Sequence, residues 1–221
     1  MIKRNLTYTG AQGRKSLYDI FLPEKWNKQF VIFIHGYKGF KDWGCWNEMA
    51  KEFYDNGYGF CKFNISHNGG TVNNPIDFPD LDAFAKNTYS FELEDTIHVI
   101  DLVKDEFNPN QMHIIGHSRG GGIACLVAAQ NESIDTLCTL ASVDDFANRF
   151  PKGNDLEEWR KKGFYSVKNG RTKQEMPHNY SFYTDFVRNR ESLDILGKLS
   201  KMKKASLHIH GEDDKAVDVQ C

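Results

Sequence analysis

The sequence lacks the features of membrane-spanning and secreted proteins. None of its apolar runs approaches the roughly 20 residues that a membrane-spanning helix needs. The charged start at residues 1–7 is not followed by the apolar segment of a signal peptide. The formal net charge is only −2, which gives no strong field to attract nucleic acid or an anionic membrane. We therefore expect a cytoplasmic protein that binds neither nucleic acid nor membrane.

The sequence also has few residues and motifs that hold metals or cofactors. Its five cysteines are scattered, and none pairs with another at a metal-binding spacing. It contains no H-E-x-x-H motif, no P-loop and no G-x-G-x-x-G fingerprint. We expect reduced thiols, as in the cytoplasm, and neither a metal nor a cofactor.

What the sequence does contain is an alternation of strand-like and helix-like segments. The apolar run at residues 29–35 is typical of a buried parallel strand, and a helical pattern follows it. Such alternation predicts an α/β fold with a mostly parallel sheet and helices on both faces, in one domain at this length of 221 residues. We predict strands at 3–9, 16–22, 29–35, 58–65, 111–115, 135–141 and 205–210, helices at 42–54, 90–107 (capped by Ser90) and 121–129, and irregular structure at 66–87.

The most specific motif is the segment Gly116-His117-Ser118-Arg119-Gly120. It lies between a strand-like run and a helix-like run that is rich in small residues. This is the strand–turn–helix context of the G-x-S-x-G nucleophile elbow. The start of a helix favours a developing negative charge, so we expect Ser118 to be a nucleophile.

Two further motifs follow strand-like runs in the order that this interpretation needs. His35-Gly36-Tyr37 follows the strand at 29–35, and His210-Gly211-Glu212-Asp213-Asp214 follows the strand at 205–210. With these three motifs the sequence resembles the α/β-hydrolase superfamily from about residue 16 onward. It is most similar to serine esterases of the dienelactone hydrolase and prolyl-oligopeptidase-like branch, which includes small cinnamoyl and feruloyl esterases.

The resemblance implies a role for each motif. The backbone N–H groups of Tyr37 and Arg119 would form the oxyanion hole, with His35 and Gly36 shaping the first loop and Gly116, His117 and Gly120 the elbow. Asp214 would orient the catalytic histidine. Asp144 and Asp145, which follow the preceding strand, are the alternative acids.

The position of the catalytic histidine is open. In this fold the histidine follows the acid along the chain, yet the sequence has no histidine after Asp214. We expect the last helix and strand of the fold, with this histidine, to lie beyond residue 221. Among the histidines present, His35 is expected to be structural, and His67 and His178 are the substitute bases to consider.

The alternation breaks between residues 144 and 204, where the family inserts a lid. We therefore divide the chain into a core, residues 1–143 and 205–221, and a lid at 144–204, in which Asn169-Gly170 predicts a hairpin. The lid aromatics would either line an acyl pocket or form the lid's own small core: Trp159, Phe164, Tyr165, Tyr180, Phe182, Tyr183 and Phe186.

The resemblance predicts a serine hydrolase that cleaves a small-molecule carboxylic ester through an acyl-enzyme. A thioester, a lactone or a peptide would use the same groups. Two alternatives stay open, because fold does not fix function. One is a catalytically impaired fragment, and the other is a protein that binds a ligand or partner on a hydrolase scaffold without catalysis.

Overall fold

The structure is a computed structural model that describes residues 1–219. A seven-stranded sheet has the order β1-β2-β4-β3-β5-β6-β9, and β7 and β8 form a separate two-stranded sheet. The strands are β1 Ile2–Thr9, β2 Lys15–Phe21, β3 Gln29–Ile34, β4 Gly59–Phe63, β5 Gln111–His117, β6 Thr136–Leu140, β7 Phe164–Lys168, β8 Glu175–Asn179 and β9 Ala205–Ile209. Strands β1 and β2 run antiparallel to their neighbours, and the other pairs of the large sheet are parallel. This confirms the predicted α/β fold class.

Two apolar clusters lie on the two faces of the sheet. Along β3, Ile32 and Ile34 belong to a large cluster with α3 and α4, whereas Val31 and Phe33 belong to a second cluster with Trp46 of α1. Successive side chains of a strand point to opposite faces, so both faces of β3 are buried and its sequence is continuously apolar. The helices are α1 Trp46–Asp55, α2 Leu81–Lys86, α3 Tyr89–Phe107, α4 Arg119–Gln130, α5 Asn154–Lys162, α6 Ser181–Arg188 and α7 Ile195–Leu199. No helix within residues 1–219 has both the length and the apolar character to span a membrane.

The strand register brings the three motif loops to one edge of the sheet. Ile34 of β3 pairs with Gly116 of β5, Gly116 with Thr139 of β6, and Thr139 with His208 of β9. Because these strands are parallel, their carboxyl ends meet at the same edge, where α/β proteins bind ligands.

Three local predictions were wrong. Helix α1 begins at Trp46 rather than at residue 42, since a turn with Gly44 at φ 63° precedes it. Helix α2 lies within a segment predicted to be irregular, and the carboxylate of Asp80 caps it by accepting from the Ala83 N–H at 2.9 Å. Thr88 caps α3, because its hydroxyl oxygen accepts from the Phe91 N–H. Ser90 instead donates to Asp185 of α6 at 2.9 Å.

A buried network of four charges holds the chain between β3 and α1. The ammonium groups of Lys41 and Lys62 each pair with the carboxylates of Asp19 and Asp42. Lys41 is 1 % exposed, and Lys62 and Asp19 are fully buried. The Lys41 N–H also donates to the Asn64 side chain at 2.6 Å. Since buried charges need partners, this network fixes the loop that follows His35-Gly36-Tyr37.

The segment at 144–204 contains α5, α6, α7 and the β7–β8 hairpin. The hairpin is confirmed, although Asn169-Gly170 opens a loop of six residues rather than a two-residue turn. The Asn169 side-chain oxygen accepts from the N–H groups of Arg171 and Thr172, which stabilises that loop. The Trp159 indole donates to the His178 carbonyl oxygen at 2.9 Å, which ties α5 to the hairpin.

Candidate active site

Ser118 lies in a strained turn between β5 and α4. Its backbone has φ 54° and ψ −119°, a conformation that L-residues rarely adopt and that occurs mainly at functional sites. The turn is held on both sides, because the Ser118 N–H donates to the Leu140 carbonyl oxygen and the Ser118 carbonyl oxygen accepts from the Gly121 N–H, each at 2.9 Å. The local geometry is therefore that of a nucleophile elbow.

The elbow is packed directly against the end of β3. A Cβ atom on Gly120 would lie 2.6 Å from the Ile34 carbonyl oxygen and closer still to that of His35. A Cβ atom on Gly116, at the other side of the turn, would likewise clash with the Gly120 carbonyl oxygen. On the neighbouring loop, a Cβ atom on Gly36 would lie 3.0 Å from the Ser118 Cβ. The structure thus brings the His35 loop and Ser118 together.

Two backbone amides border Ser118 where the sequence predicts an oxyanion hole. Arg119 is the first residue of α4, so its N–H has no partner within the helix. Tyr37 directly follows Gly36, which contacts Ser118.

His35 fixes this loop through both of its ring nitrogens. Nε2 accepts from the Ile65 N–H at 3.2 Å, so Nδ1 carries the proton and donates to the Gly36 carbonyl oxygen at 2.9 Å. Burial lowers the pKa of His35 to about 4, so the ring is neutral at physiological pH. These bonds give His35 a structural position.

The side chains of Tyr37 and Arg119 form a connected cluster behind Ser118. The Tyr37 hydroxyl lies 2.7 Å from Nε2 of His178, and the Arg119 guanidinium carbon lies 4.1 Å from the centre of the Tyr37 ring. Arg119 also pairs with the buried carboxylate of Glu92 at 3.3 Å. Burial raises the pKa of Glu92, whereas Arg119 and a hydrogen bond from Asn87 act in the opposite direction.

A cavity of about 520 Å³ opens over Ser118. It lies between the elbow, α3 and the segment at 144–204, and its wall is aromatic and basic. Among the predicted lid aromatics, Tyr165 and Phe182 line it, whereas Trp159 is 1 % exposed in the core and Phe164 is 54 % exposed at the surface. The lining residues are Tyr37, Lys38, Tyr89, His117, Ser118, Arg119, Val143, Phe146, Arg149, Tyr165, Val167, His178, Phe182, Ala216 and Val217.

Asp214 lies in the loop after β9, close in sequence to Ala216 and Val217, which line this cavity. Its Oδ1 accepts from the N–H groups of Ala216 and Val217, at 2.8 and 3.1 Å. These two hydrogen bonds, followed by the charges of His210 and His117, lower the pKa of Asp214. Its Oδ2 lies 3.8 Å from Nε2 of His210, so this oxygen is not held by the loop amides.

The two alternative acids lie elsewhere. Asp144 and Asp145 line a different cavity, of about 500 Å³, beside α6 and α7. The Asp145 Oδ1 accepts from the Ala147 N–H at 2.7 Å. Asp214 instead bonds to Ala216 and Val217, which line the Ser118 cavity.

Two histidines line the cavity with Ser118. His117 precedes the serine, and its ring packs against Trp46 at 5.1 Å. His178 is 2 % exposed, and burial, helped by the charges of Arg119 and Lys38, lowers its pKa to about 3. A group with so low a pKa is a weak base at neutral pH, which makes His178 a poor substitute for the catalytic histidine.

The remaining candidate histidines are held in structural contacts. His67 bonds to the Ser66 hydroxyl at 2.9 Å and packs against the Phe91 ring at 4.9 Å. Burial lowers the pKa of His67 to about 4, and its side chain does not line the Ser118 cavity. His210 donates from Nε2 to the Val217 carbonyl oxygen at 2.9 Å.

Several residues in or behind the cavity wall were not found from the sequence. Glu92 has the position of an ordinary acidic residue near a helix start, and only the fold shows that it is buried against Arg119. Arg149 lies in a 3₁₀ turn without a motif, so no sequence pattern could have placed it beside Ser118. Lys38 directly follows the His35-Gly36-Tyr37 motif, but the sequence does not show that its side chain lines the cavity.

Comparisons with known proteins agree with this architecture. A profile of the alpha/beta hydrolase fold family matches residues 29–220, and the chain therefore belongs to this family. A search of curated protein sequences gives no significant match.

Solved structures with the same fold include several esterases. Est1E from Butyrivibrio proteoclasticus superposes with a TM-score of 0.68 at 18% identity, covering 96% of this chain and 80% of Est1E. The mouse alpha/beta hydrolase domain-containing protein 10 gives a TM-score of 0.71 at 17% identity, covering 99% of this chain and 81% of that protein. The esterase domain of a Rhodothermus marinus protein gives 0.65 at 15% identity, covering 100% of this chain and 80% of that domain. At these identities the likeness shows the fold alone.

Proposed function

We propose that this protein is a serine hydrolase that cleaves a carboxylic ester through an acyl-enzyme intermediate. The observation that carries the proposal is the backbone of Ser118, at φ 54° and ψ −119°, at the start of α4 and inside an aromatic cavity. Strain of this kind persists only where the surrounding structure maintains it. Here glycines on both sides of the turn and the end of β3 do so.

In the proposed reaction, the Ser118 Oγ attacks the ester carbonyl carbon and gives its proton to a base. The carbonyl oxygen becomes an oxyanion that accepts hydrogen bonds from the Tyr37 and Arg119 N–H groups. Collapse of this intermediate releases the alcohol, which takes up the proton, and leaves an ester on Ser118. Water then hydrolyses that ester by the same steps. Losing one oxyanion donor typically lowers the rate by about 10²–10³-fold.

In the family's order the base is a histidine that follows the acid along the chain, and we propose Asp214 as that acid. Asp214 supports this role, because its Oδ1 accepts from two loop amides while its Oδ2 takes part in neither of these bonds. Its lowered pKa keeps the carboxylate ionised at neutral pH, which suits a group that stabilises an imidazolium.

We propose that residues 144–204 act as the lid over Ser118. Phe146, Tyr165 and Phe182 from this segment line the cavity together with Tyr89 of α3, and such a lining favours an apolar or aromatic part of the substrate. A structure of the fold relative Est1E is described with ferulic acid bound, which agrees with an aromatic acid as one class of acyl group.

Hydrolysis of 4-nitrophenyl butanoate tests the proposal directly. We expect Ser118→Ala to lower kcat/KM by roughly 10⁴-fold or more, because the nucleophile is removed. Ser200→Ala, an exposed position at the end of α7, is the matched control and should retain the activity. Hydrolysis that survives in Ser118→Ala, or no hydrolysis by the unaltered chain, would contradict the proposed function. In the second case, ligand binding without turnover is the remaining role for the cavity.

A further inference from the structure

The cavity over Ser118 carries more positive charge than ester hydrolysis needs. Three of its lining residues are basic, Lys38, Arg119 and Arg149, and none of its described lining residues is acidic. The carboxylate of Glu92 compensates Arg119 from behind the cavity wall. Asp214, which is not part of the lining, pairs with the catalytic histidine under the proposed function. An excess of cations in a half-enclosed site focuses a positive potential on the space inside it.

The hydrogen bonds made by two of these cations are to neutral groups. The Lys38 ammonium donates to the Lys168 carbonyl oxygen in β7 at 3.4 Å and lies 4.9 Å from the centre of the Tyr37 ring. The Arg149 guanidinium donates to the Ala216 carbonyl oxygen at 3.1 Å. Carbonyl oxygens position these side chains without neutralising them, so each adds a positive charge to the cavity lining, where Lys38 is half-buried and Arg149 is exposed.

The Arg119 guanidinium adds hydrogen-bond donors to the cavity lining. It has five N–H donors, and its hydrogen bond to Glu92 uses Nη1. Its guanidinium carbon lies 4.1, 5.3 and 5.3 Å from the ring centres of Tyr37, Tyr89 and Phe182. Arg119 is thereby held rigidly in place, with 13 % of its side chain exposed.

We infer that the cavity selects esters whose acyl or alcohol part carries a carboxylate, which Lys38 and Arg149 bind while the aromatic wall holds the apolar part. This rests on the proposed function for the identity of the ligand as an ester. A guanidinium matches a carboxylate with two parallel hydrogen bonds, and a carboxylate brought into the cavity would restore its charge balance. A neutral ester of the same shape would pack against the aromatic wall, but Lys38 and Arg149 would then have no anion to bind.

A matched pair of ligands tests this inference without requiring turnover. Benzyl hydrogen succinate and benzyl butanoate differ only in that a carboxylate replaces a methyl group. Their binding to the Ser118→Ala variant is measured by calorimetry at pH 7. We expect the anionic ester to bind at least about tenfold more tightly, since hydrogen bonds between charged groups contribute that much. The preference should shrink as salt is raised.

Variants assign the effect to the two cations. In the Ser118→Ala background, adding Arg149→Ala and Lys38→Met together should reduce the ratio of the two affinities to about one. Arg160→Ala, an exposed arginine of α5 outside the cavity lining, is the control and should leave the ratio unchanged. Equal affinities in Ser118→Ala, or a preference that persists in the Arg149 and Lys38 variant, would overturn the inference.

The same ligands separate this inference from the proposed function. Turnover of both benzyl esters by the unaltered chain, with no preference for the succinate, would leave the hydrolase and overturn the anionic selectivity. A binding preference that depends on Lys38 and Arg149, with no turnover of either ester, would keep the anion site and contradict the proposed function.

Discussion

Substitution of Gly120 by alanine probes the contact between the elbow and the sheet. The added Cβ would lie 2.6 Å from the Ile34 carbonyl oxygen and closer to that of His35, whereas carbon–oxygen contacts of this kind normally exceed 3 Å. Both oxygens belong to the backbone at the end of β3, so relief requires the strand or α4 to move. The glycine is also at the second position of a helix, where alanine is intrinsically better.

The two effects have opposite signs and can be compared. Overpacking typically costs about 1–3 kcal/mol, and rigid backbone neighbours put this site near 3. The gain in helix propensity is at most about 1 kcal/mol. We therefore expect Gly120→Ala to lower the free energy of unfolding by about 2 kcal/mol, and to slow labelling of Ser118 by a fluorophosphonate because the elbow is displaced.

Urea unfolding, followed by circular dichroism, measures the change. Gly170→Ala is the matched control, because nothing lies within 4 Å of the Cβ that it would add. We expect that variant to stay within about 0.5 kcal/mol of the unaltered protein. If Gly120→Ala were as stable and as readily labelled as the unaltered protein, the close packing of the elbow on β3 would be refuted.

Three further predictions concern the surroundings of the site. Tyr37→Phe leaves the buried His178 ring without its hydroxyl partner, and should lower the free energy of unfolding in urea by about 1–3 kcal/mol. An unchanged unfolding midpoint would contradict a stabilising hydrogen bond between Tyr37 and His178. Lys41→Met removes one cation from the buried network and should cost about 3 kcal/mol or more. In the same assay Lys51→Met, whose side chain is 71% exposed, should leave the unfolding midpoint unchanged, because exposed ion pairs contribute little. Burial raises the pKa of Asp95 to about 6, above its usual value near 4. The folded state therefore holds this proton more tightly than the unfolded state. The resulting contribution to stability is complete below about pH 4 and is lost as the pH rises through about 6. In unfolding experiments across this range, Asp95→Asn should remove that decline, and an identical pH dependence in both proteins would contradict the prediction.

The sheet and its motif loops could be predicted because their sequence patterns are local. An apolar run that is buried on both faces, as at β3, permits few interpretations, and the glycines of the elbow are required by contacts that any such turn makes. The strands were placed to within a few residues for the same reason. Helix α2 was missed because its six residues are too short for a clear period, and a single capping residue, Asp80, defines its start.

The composition of the cavity could not be predicted, because it depends on contacts between residues far apart in sequence. Arg119 and Glu92 are 27 positions apart, and Tyr37 and His178 are 141 positions apart. Neither separation matches a known sequence motif, so neither contact could be predicted. The aromatic residues of 144–204 show the same limit, since composition alone does not separate Phe182, which faces the cavity, from Trp159, which is buried in the core.

The central claim, that Ser118 is an activated nucleophile, is tested most directly by mass spectrometry after treatment with a fluorophosphonate. We expect a single adduct on the intact protein, located on the peptide that contains Ser118 and absent from Ser118→Ala. The absence of an adduct on the unaltered protein, or an adduct that persists in Ser118→Ala, would contradict the account.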